Sequence, residues 1–278
     1  MNIAVKLQKC GILITRLLPL SVADKIGRLL GGLSYFMLKK KRSYILKNLH
    51  YIVPEKGYHH YLCRKTFEKF ARCMVDFFRL GFLTKEQVIE EVIASGLKNL
   101  DDALTFNRGC ILLTLHIGNW DYAGSYLAAR GYPMNALVEE TEPEMFRLYT
   151  RHREATGLKT YPLSRAQVAF LDTIKNNRIL AVLADRDLTK QGMEFRFFSG
   201  KRKFPKNLAE IVVKRKIPVV FGYMVLTEEG RKRYYGIVEP VQLFESVDKF
   251  HRYMLSAFEK TIKKYPDQWF VFHPEWIE

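Results

Sequence analysis

A chain of 278 residues, 48% of them hydrophobic, is long enough to bury a full core, which excludes a disordered chain and fits one large domain or a domain with an appended helical region. The four cysteines, Cys10, Cys63, Cys73 and Cys110, have neither CxxC spacing nor a partnering histidine pattern, so neither a zinc knuckle nor a disulfide framework is expected, and a reducing, cytosol-facing location is. The net charge of +16 attracts nucleic acid, anionic headgroups or acidic proteins, and it is concentrated at one end: residues 1–72 hold 15 Lys and Arg against 3 Asp and Glu.

The first apolar stretch, "CGILITRLLPLSVADKIGRLLGGLSYFML", is interrupted by Arg16, Asp24, Lys25 and Arg28. No uncharged run approaches the ~20 residues of a spanning helix, and no small-residue cleavage site follows a clean apolar segment. An interfacial helical hairpin, broken at Pro19 and closed by the basic cluster Lys39–Arg42, fits the pattern and suits anionic headgroups. An ordinary core-packing helix pair with a solvated basic face fits it too, and both readings stay open. From Arg42 to Leu83 the spacing of Ile45, Leu49, Phe67, Phe70, Met74 and Phe77 is helical, with a break at "VPEKG".

Beyond "LTKEQVIEEVIASG" short β-rich runs alternate with helix-like segments, the pattern of a layered α/β domain. The expected strands are Cys110–Leu115, Asn135–Glu139, Ile179–Ala184, Pro218–Leu226 and Tyr235–Val241. The expected helices are Trp120–Arg130, Glu142–Thr156, Ser164–Asn176, Asn207–Arg215 and Val247–Tyr265. Runs such as "ILLTL" and "PVVFGYMV" are apolar without alternation, as strands covered on both faces should be. The fold class expected is therefore α/β, with a mostly parallel or mixed central sheet flanked by helices and a basic helical N-terminal region. Residues 1–90 form that region, packed as one unit on a core of residues 91–278.

In open α/β sheets functional groups collect beyond the carboxyl ends of strands. His116 stands just past an expected central strand, and Asp121 follows five residues later. A carboxylate against one imidazole nitrogen fixes the tautomer and stabilises the imidazolium, and Gly118 permits the tight return such a pair needs. The alternative is structural: Asn119 as N-cap of the next helix, with Asp121 in its first turn, favoured there by the dipole.

The surroundings of the pair carry a resemblance. "HIGNWD" after a buried strand resembles the His-x4-Asp/Glu block of glycerolipid acyltransferases, and more narrowly that of the bacterial lipid A biosynthesis (lauroyl/myristoyl) acyltransferases. "RSYILKNL" with Pro54, "ARCMVDFFRL", "RHREATG", "LADRD…FRFFSG", "PKNLAEIVVKRKIPVV" and "YPDQWFVFHPEW" resemble further blocks of that family, in family order from about Arg42 to Trp276. Three positions depart from it: Asp121 stands where this branch usually has Glu, Asn207 where it has Gly, and Glu275 where it commonly has Arg.

The resemblance implies a glycerol-3-phosphate acyltransferase-like core and transfer of a fatty acyl group from a thioester, on acyl carrier protein or coenzyme A, to a hydroxyl of a membrane glycolipid or lysolipid. His116 is then the general base and Asp121 the group that orients it. Asn119 or amides at the helix start stabilise the oxyanion. Arg153 and Arg186 are candidates for phosphate contacts, with surface salt bridging as the alternative. Asp185 and Asp187, the family's Asp-x-Asp, organise the site through Arg and backbone contacts. Two carboxylates lack the further ligands of a metal site, so neither a metal nor another cofactor is implied. Phe195, Phe197 and Phe198 either line an acyl groove or fill the core.

The enzyme is then expected as a peripheral protein on the cytoplasmic face of the cell membrane, its basic end against anionic lipid, with the oligomeric state open. A nucleic-acid-binding protein using the same charge finds no RNA-binding signature, zinc-finger spacing or helix-turn-helix, so no nucleic-acid partner is expected. A lipid hydrolase finds no Gly-x-Ser-x-Gly elbow.

Overall fold

The computed structural model describes residues 3–188, 191–228 and 232–277. The chain opens with four helices, α1 (Ile3–Leu17), α2 (Leu20–Met37), α3 (Lys39–Ile52) and α4 (His59–Leu80). Pro19 separates the first two, and "VPEKG" separates the last two, as the sequence predicts. Ala23, Gly27 and Gly31 recur every fourth residue and are buried on one face of α2. A Cβ on Gly31 would stand 2.5 Å from the Phe67 carbonyl oxygen, and one on Gly27 2.7 Å from Val75 Cγ2. The two helices therefore meet backbone to backbone, which only small residues permit.

The remaining elements are α5 (Lys85–Glu90), β1 (Val92–Ser95), α6 (Lys98–Leu104), β2 (Cys110–Thr114), α7 (Trp120–Ala129), β3 (Met134–Val138), α8 (Pro143–Glu154), β4 (Lys159–Pro162) and α9 (Ala166–Lys175). They continue through β5 (Ile179–Leu183), β6 (Met193–Phe197), β7 (Gly200–Phe204), α10 (Lys206–Arg215), β8 (Val219–Leu226), β9 (Tyr234–Val238), α11 (Val247–Lys264) and β10 (Trp276–Ile277). Seven strands form a central sheet in the order β1-β9-β8-β2-β5-β3-β4. Every pairing in it is parallel except β8 with β9. The protein is thus mixed α/β, with a mostly parallel sheet between helices and a helical N-terminal region.

The five expected strands are present within a few residues at their ends. Five others were not expected. β1 and β4 are four residues each, and β4 ends in a proline, so neither carries a readable period. β6 and β7 make an antiparallel hairpin, joined by β10 into a small second sheet. "MEFRF" and "GKRKF" are too charged to read as buried strands.

Residues of β2 alternate between two cores, as the period of a strand demands. Ile111 and Leu113 join Ile45, Leu49 and Phe67 on one face, whereas Cys110 and Leu112 join Phe77, Tyr122 and Tyr126 on the other. Helix α4 feeds both, Phe67 into the first and Phe77 and Leu80 into the second, so the N-terminal helices are anchored in the packing of the sheet.

The opposite side of the hairpin α1–α2 is uncovered. Leu7, Leu17, Leu29, Leu33, Phe36 and Met37 are all exposed, next to exposed Lys6, Lys9, Arg16, Lys25 and Arg28. Among the described residues no helix is long and apolar enough to cross a membrane.

Candidate active site

The register of the sheet assembles the centre. Thr114, the last residue of β2, pairs with Leu183, the last of β5. The residues two places beyond each, His116 and Asp185, therefore leave adjacent parallel strands side by side at their carboxyl ends. His116 Nδ1 donates to Asp185 Oδ1 at 2.7 Å, and the His116 amide reaches both carboxylate oxygens at 3.1 Å. Trp269 Nε1 donates to Oδ2 at 2.8 Å. Asp185 is fully buried. Burial alone would raise its carboxyl, yet the attraction and hydrogen bond of His116, the Trp269 donor and the Arg202 charge bring it down to about 2. An ionised carboxylate only accepts, so Nδ1 donates to it, and in the neutral ring the lone pair is then on Nε2. The ring lines a cleft above the sheet and meets Trp120 edge to face at 4.9 Å.

The loop after His116 is stitched on both sides. Gly118 donates to the Gln268 carbonyl at 2.9 Å, Asn119 to that of Met224 at 3.0 Å, and Phe270 to that of His116 at 2.7 Å. Gly118 adopts φ +55°, and a Cβ there would lie 2.0 Å from the Met224 oxygen. The glycine expected to ease a return of Asp121 instead lets the loop press against β8.

Two sequence expectations are corrected here. Asp121 does not return onto the His116 Nδ1; that place belongs to Asp185, and Asp121 Oδ1 and Oδ2 accept from Arg153 at 2.7 and 3.4 Å. A first-turn residue of α7 points along the cleft wall toward α8, whereas a strand-end neighbour needs no return at all. Asn119 is the N-cap that the structural alternative foresaw, its oxygen accepting from the Tyr122 amide at 3.0 Å. Its amide donates to the Cys73 carbonyl at 3.2 Å and the Tyr234 hydroxyl at 2.8 Å. At 4% exposure and with both ends engaged, it is a buried cap that does not line the cleft.

Beneath Asn119 runs a chain of buried polar groups. The Tyr234 hydroxyl donates to Asp76, which also takes Arg233 Nε at 2.6 Å. Arg233 Nη2 reaches Asp24 of α2 at 2.5 Å, and Arg72 Nε joins the same carboxylate at 2.9 Å.

Arg153 and Arg186 both line the cleft. Arg153 is held by Asp121 and lies 5.6 Å from the ring centroids of Phe77 and Tyr149. Arg186 is paired with Glu275 at 2.9 Å and Glu139 at 3.4 Å. Asp187 accepts from the Gly192 amide at 2.8 Å and organises the entry to β6, away from the cleft. Phe197 is fully buried, and Phe195 and Phe198 pack against the same core, so these three are core rather than cleft. Among the described residues no three His, Cys, Asp or Glu converge as metal ligands.

The cleft, about 290 Å³, shares Phe70, Phe272 and His273 with an apolar groove of about 580 Å³ that runs between α1, α2 and α4 and opens to solvent. Gly27, Leu30, Met74 and Phe78 line its length. Sequence reasoning missed this groove, Trp269 and Arg202. Arg202 had a readable signal: between Lys201 and Lys203 in an alternating strand, it must face the other way, with Phe204.

The family described as bacterial lipid A biosynthesis acyltransferase matches the chain over residues 4–278. A phosphatidylinositol mannoside acyltransferase of Mycobacterium tuberculosis is 25% identical over 256 residues, covering 88% of this chain and 80% of the relative. Its counterpart from Mycolicibacterium smegmatis is 25% identical over 224 residues, 78% of this chain and 72% of the relative. A lipid A biosynthesis acyltransferase of Haemophilus influenzae is 21% identical over 262 residues, covering 93% and 82%.

Proposed function

Because the chain belongs to the bacterial lipid A biosynthesis acyltransferase family, and is thus an acyltransferase with an acyl donor and a lipid acceptor, we propose that it carries a fatty acyl group from a thioester of acyl carrier protein or coenzyme A to a hydroxyl of a membrane glycolipid or lysolipid. The observation that carries this reading is the His116–Asp185 pair at 2.7 Å, with the ring in a cleft that shares Phe70, Phe272 and His273 with an apolar groove. His116 Nε2 takes the proton of the acceptor hydroxyl as its oxygen attacks the thioester carbon. Asp185 holds the ring and stabilises the imidazolium, which returns the proton to the departing thiolate as the C–S bond breaks. The positive end of α7 and the Arg153 guanidinium, kept in reach by Asp121, take up charge on the carbonyl oxygen. Arg186 borders the acceptor.

Direct transfer needs no acyl-enzyme, and the thiols support that: burial pushes Cys63, Cys73 and Cys110 up to about 12, far from thiolate at neutral pH. The groove between α1, α2 and α4 takes the acyl chain. The exposed apolar and basic residues of α1 and α2 seat the enzyme peripherally on the anionic cytoplasmic leaflet, so a chain passes from bilayer to groove without crossing water.

The test is incubation with a mixed acyl-thioester pool and native membrane lipid extract, followed by mass spectrometry for the lipid that gains an acyl mass. His116→Ala should lose that product while keeping its melting temperature and vesicle binding. Turnover by this variant at the wild-type rate would remove His116 from the mechanism, and free fatty acid without an acylated lipid would make the protein a hydrolase.

A further inference from the structure

Arg202 of β7 is the largest charged side chain wholly withdrawn from solvent, at 0% exposure. Its guanidinium carbon lies 4.8 Å from the ring centroid of Trp269, 5.3 Å from that of Trp276, and 5.8 Å from those of Phe197 and Phe204. Nη2 donates to the Asp185 carbonyl oxygen at 3.1 Å and stands 3.8 Å from Glu275 Oε2. Nε and Nη1 have no hydrogen-bond partner. A cation held this way is costly, and an apolar side chain of the same volume would fill four aromatic walls at least as well. Packing therefore does not account for a charge at this place.

Its neighbour does. Trp269 receives the guanidinium on its ring face and gives its indole N–H to Asp185, so cation, indole and carboxylate form one stack behind His116. A buried carboxylate favours the protonated form of an imidazole beside it, and a buried cation behind it offsets that pull. The geometry points to Arg202 as a positioning residue for the acyl transfer: it fixes the backbone at Asp185 and balances the charge of the carboxylate that orients His116. Arg202 does not line the cleft, so it acts only through Asp185. Burial lowers its guanidinium, with Asp185 and Glu275 opposing, to about 10, so it is charged at neutral pH. The other charged and titratable groups around His116 are Asp121, Glu139, Arg153, Arg186 and His273 of the cleft, with Glu275 behind Arg186.

This inference rests on His116 being the base, and its test separates the two. The pH profile of kcat/KM falls on the acid side as the base is protonated. In Arg202→Met that acid limb should move up by about one pH unit, since the negative charge behind the ring is no longer offset. Arg202→Lys, which keeps the charge, should hold the wild-type limb, and KM for the acyl thioester should be unchanged in both. Glu275→Gln, a partly exposed position that tests the same field if Arg202→Met does not fold, should move the limb down. An unmoved limb in folded Arg202→Met, the same upward move in Arg202→Lys, or a limb that does not fall in Glu275→Gln would each overturn the role of Arg202. An active His116→Ala would instead overturn the proposed base, whatever the Arg202 variants do.

Discussion

Replacing Asp185 by Asn keeps the shape of the side chain and removes what the site uses. The carboxylate takes hydrogen bonds from the His116 ring, the His116 amide and Trp269 through two acceptor oxygens. An amide has one acceptor oxygen, so its NH₂ must face a donor or turn the imidazole to the tautomer that protonates Nε2. The corresponding change in a Ser-His-Asp triad costs ~10⁴ in kcat, about 5 kcal/mol at 1.36 per tenfold. A loss of ~10²–10⁴ is expected here. Stability falls as well. The carboxyl titrates at about 2 in the fold against the ordinary 3.8, so its ionised form contributes ~2 kcal/mol above pH ~4, and this fades as pH falls through about 2. Asp185→Asn lacks that contribution, which lowers its melting temperature by ~4–8 °C at neutral pH and brings the two proteins together toward pH 2. Initial rates of lipid acylation on vesicles, paired with melting curves across pH, read both effects. A folded Asp185→Asn within tenfold of wild-type kcat would refute the assignment of the orienting role to this strand-end carboxylate.

Gly118→Ala places a Cβ 2.0 Å from the Met224 oxygen at a positive φ, so the His116 loop must shift. A loss of ~2–4 kcal/mol in stability and more than tenfold in turnover is expected, and wild-type melting and rate together would contradict it. The triple change of Leu29, Leu33 and Phe36 to Glu removes apolar contacts worth ~1.5 kcal/mol or more each when buried in lipid. Flotation with anionic vesicles should fall at least tenfold while melting is unchanged, because all three are exposed; undiminished binding would move the membrane contact elsewhere.

The apolar runs of β2, β5 and β8 were legible because a strand covered on both faces has no other way to be written. The same runs made His116 conspicuous. Its partner was not legible as such, since Asp185 lies 69 residues away and only the register between β2 and β5 makes them neighbours. Both nevertheless follow the same pattern, a polar residue two places past a largely apolar strand. Asp121, close in sequence, was the natural choice for the ring and proved to hold Arg153, because a short loop into a helix carries its first-turn side chains along the cleft wall. Asn119 illustrates the same point: as an N-cap its oxygen was accounted for, but the destination of its amide was set by Tyr234, on a strand whose position no local pattern reveals. For Arg202 the alternation with Lys201 and Lys203 gives its side of β7, but not how deeply that side is covered.

The polar chain from Asn119 through Tyr234, Asp76 and Arg233 to Asp24 ends on α2, the helix whose other side is bare apolar surface. A shortened protein lacking the first two helices, the obvious remedy for an adhesive enzyme, would take Asp24 with it. Arg233 and Arg72 would be left short of a carboxylate, and Val75 would lose the cover of Gly27. The helices proposed to meet lipid also brace, through Asp24, the loop that holds His116, so removing them would disturb both.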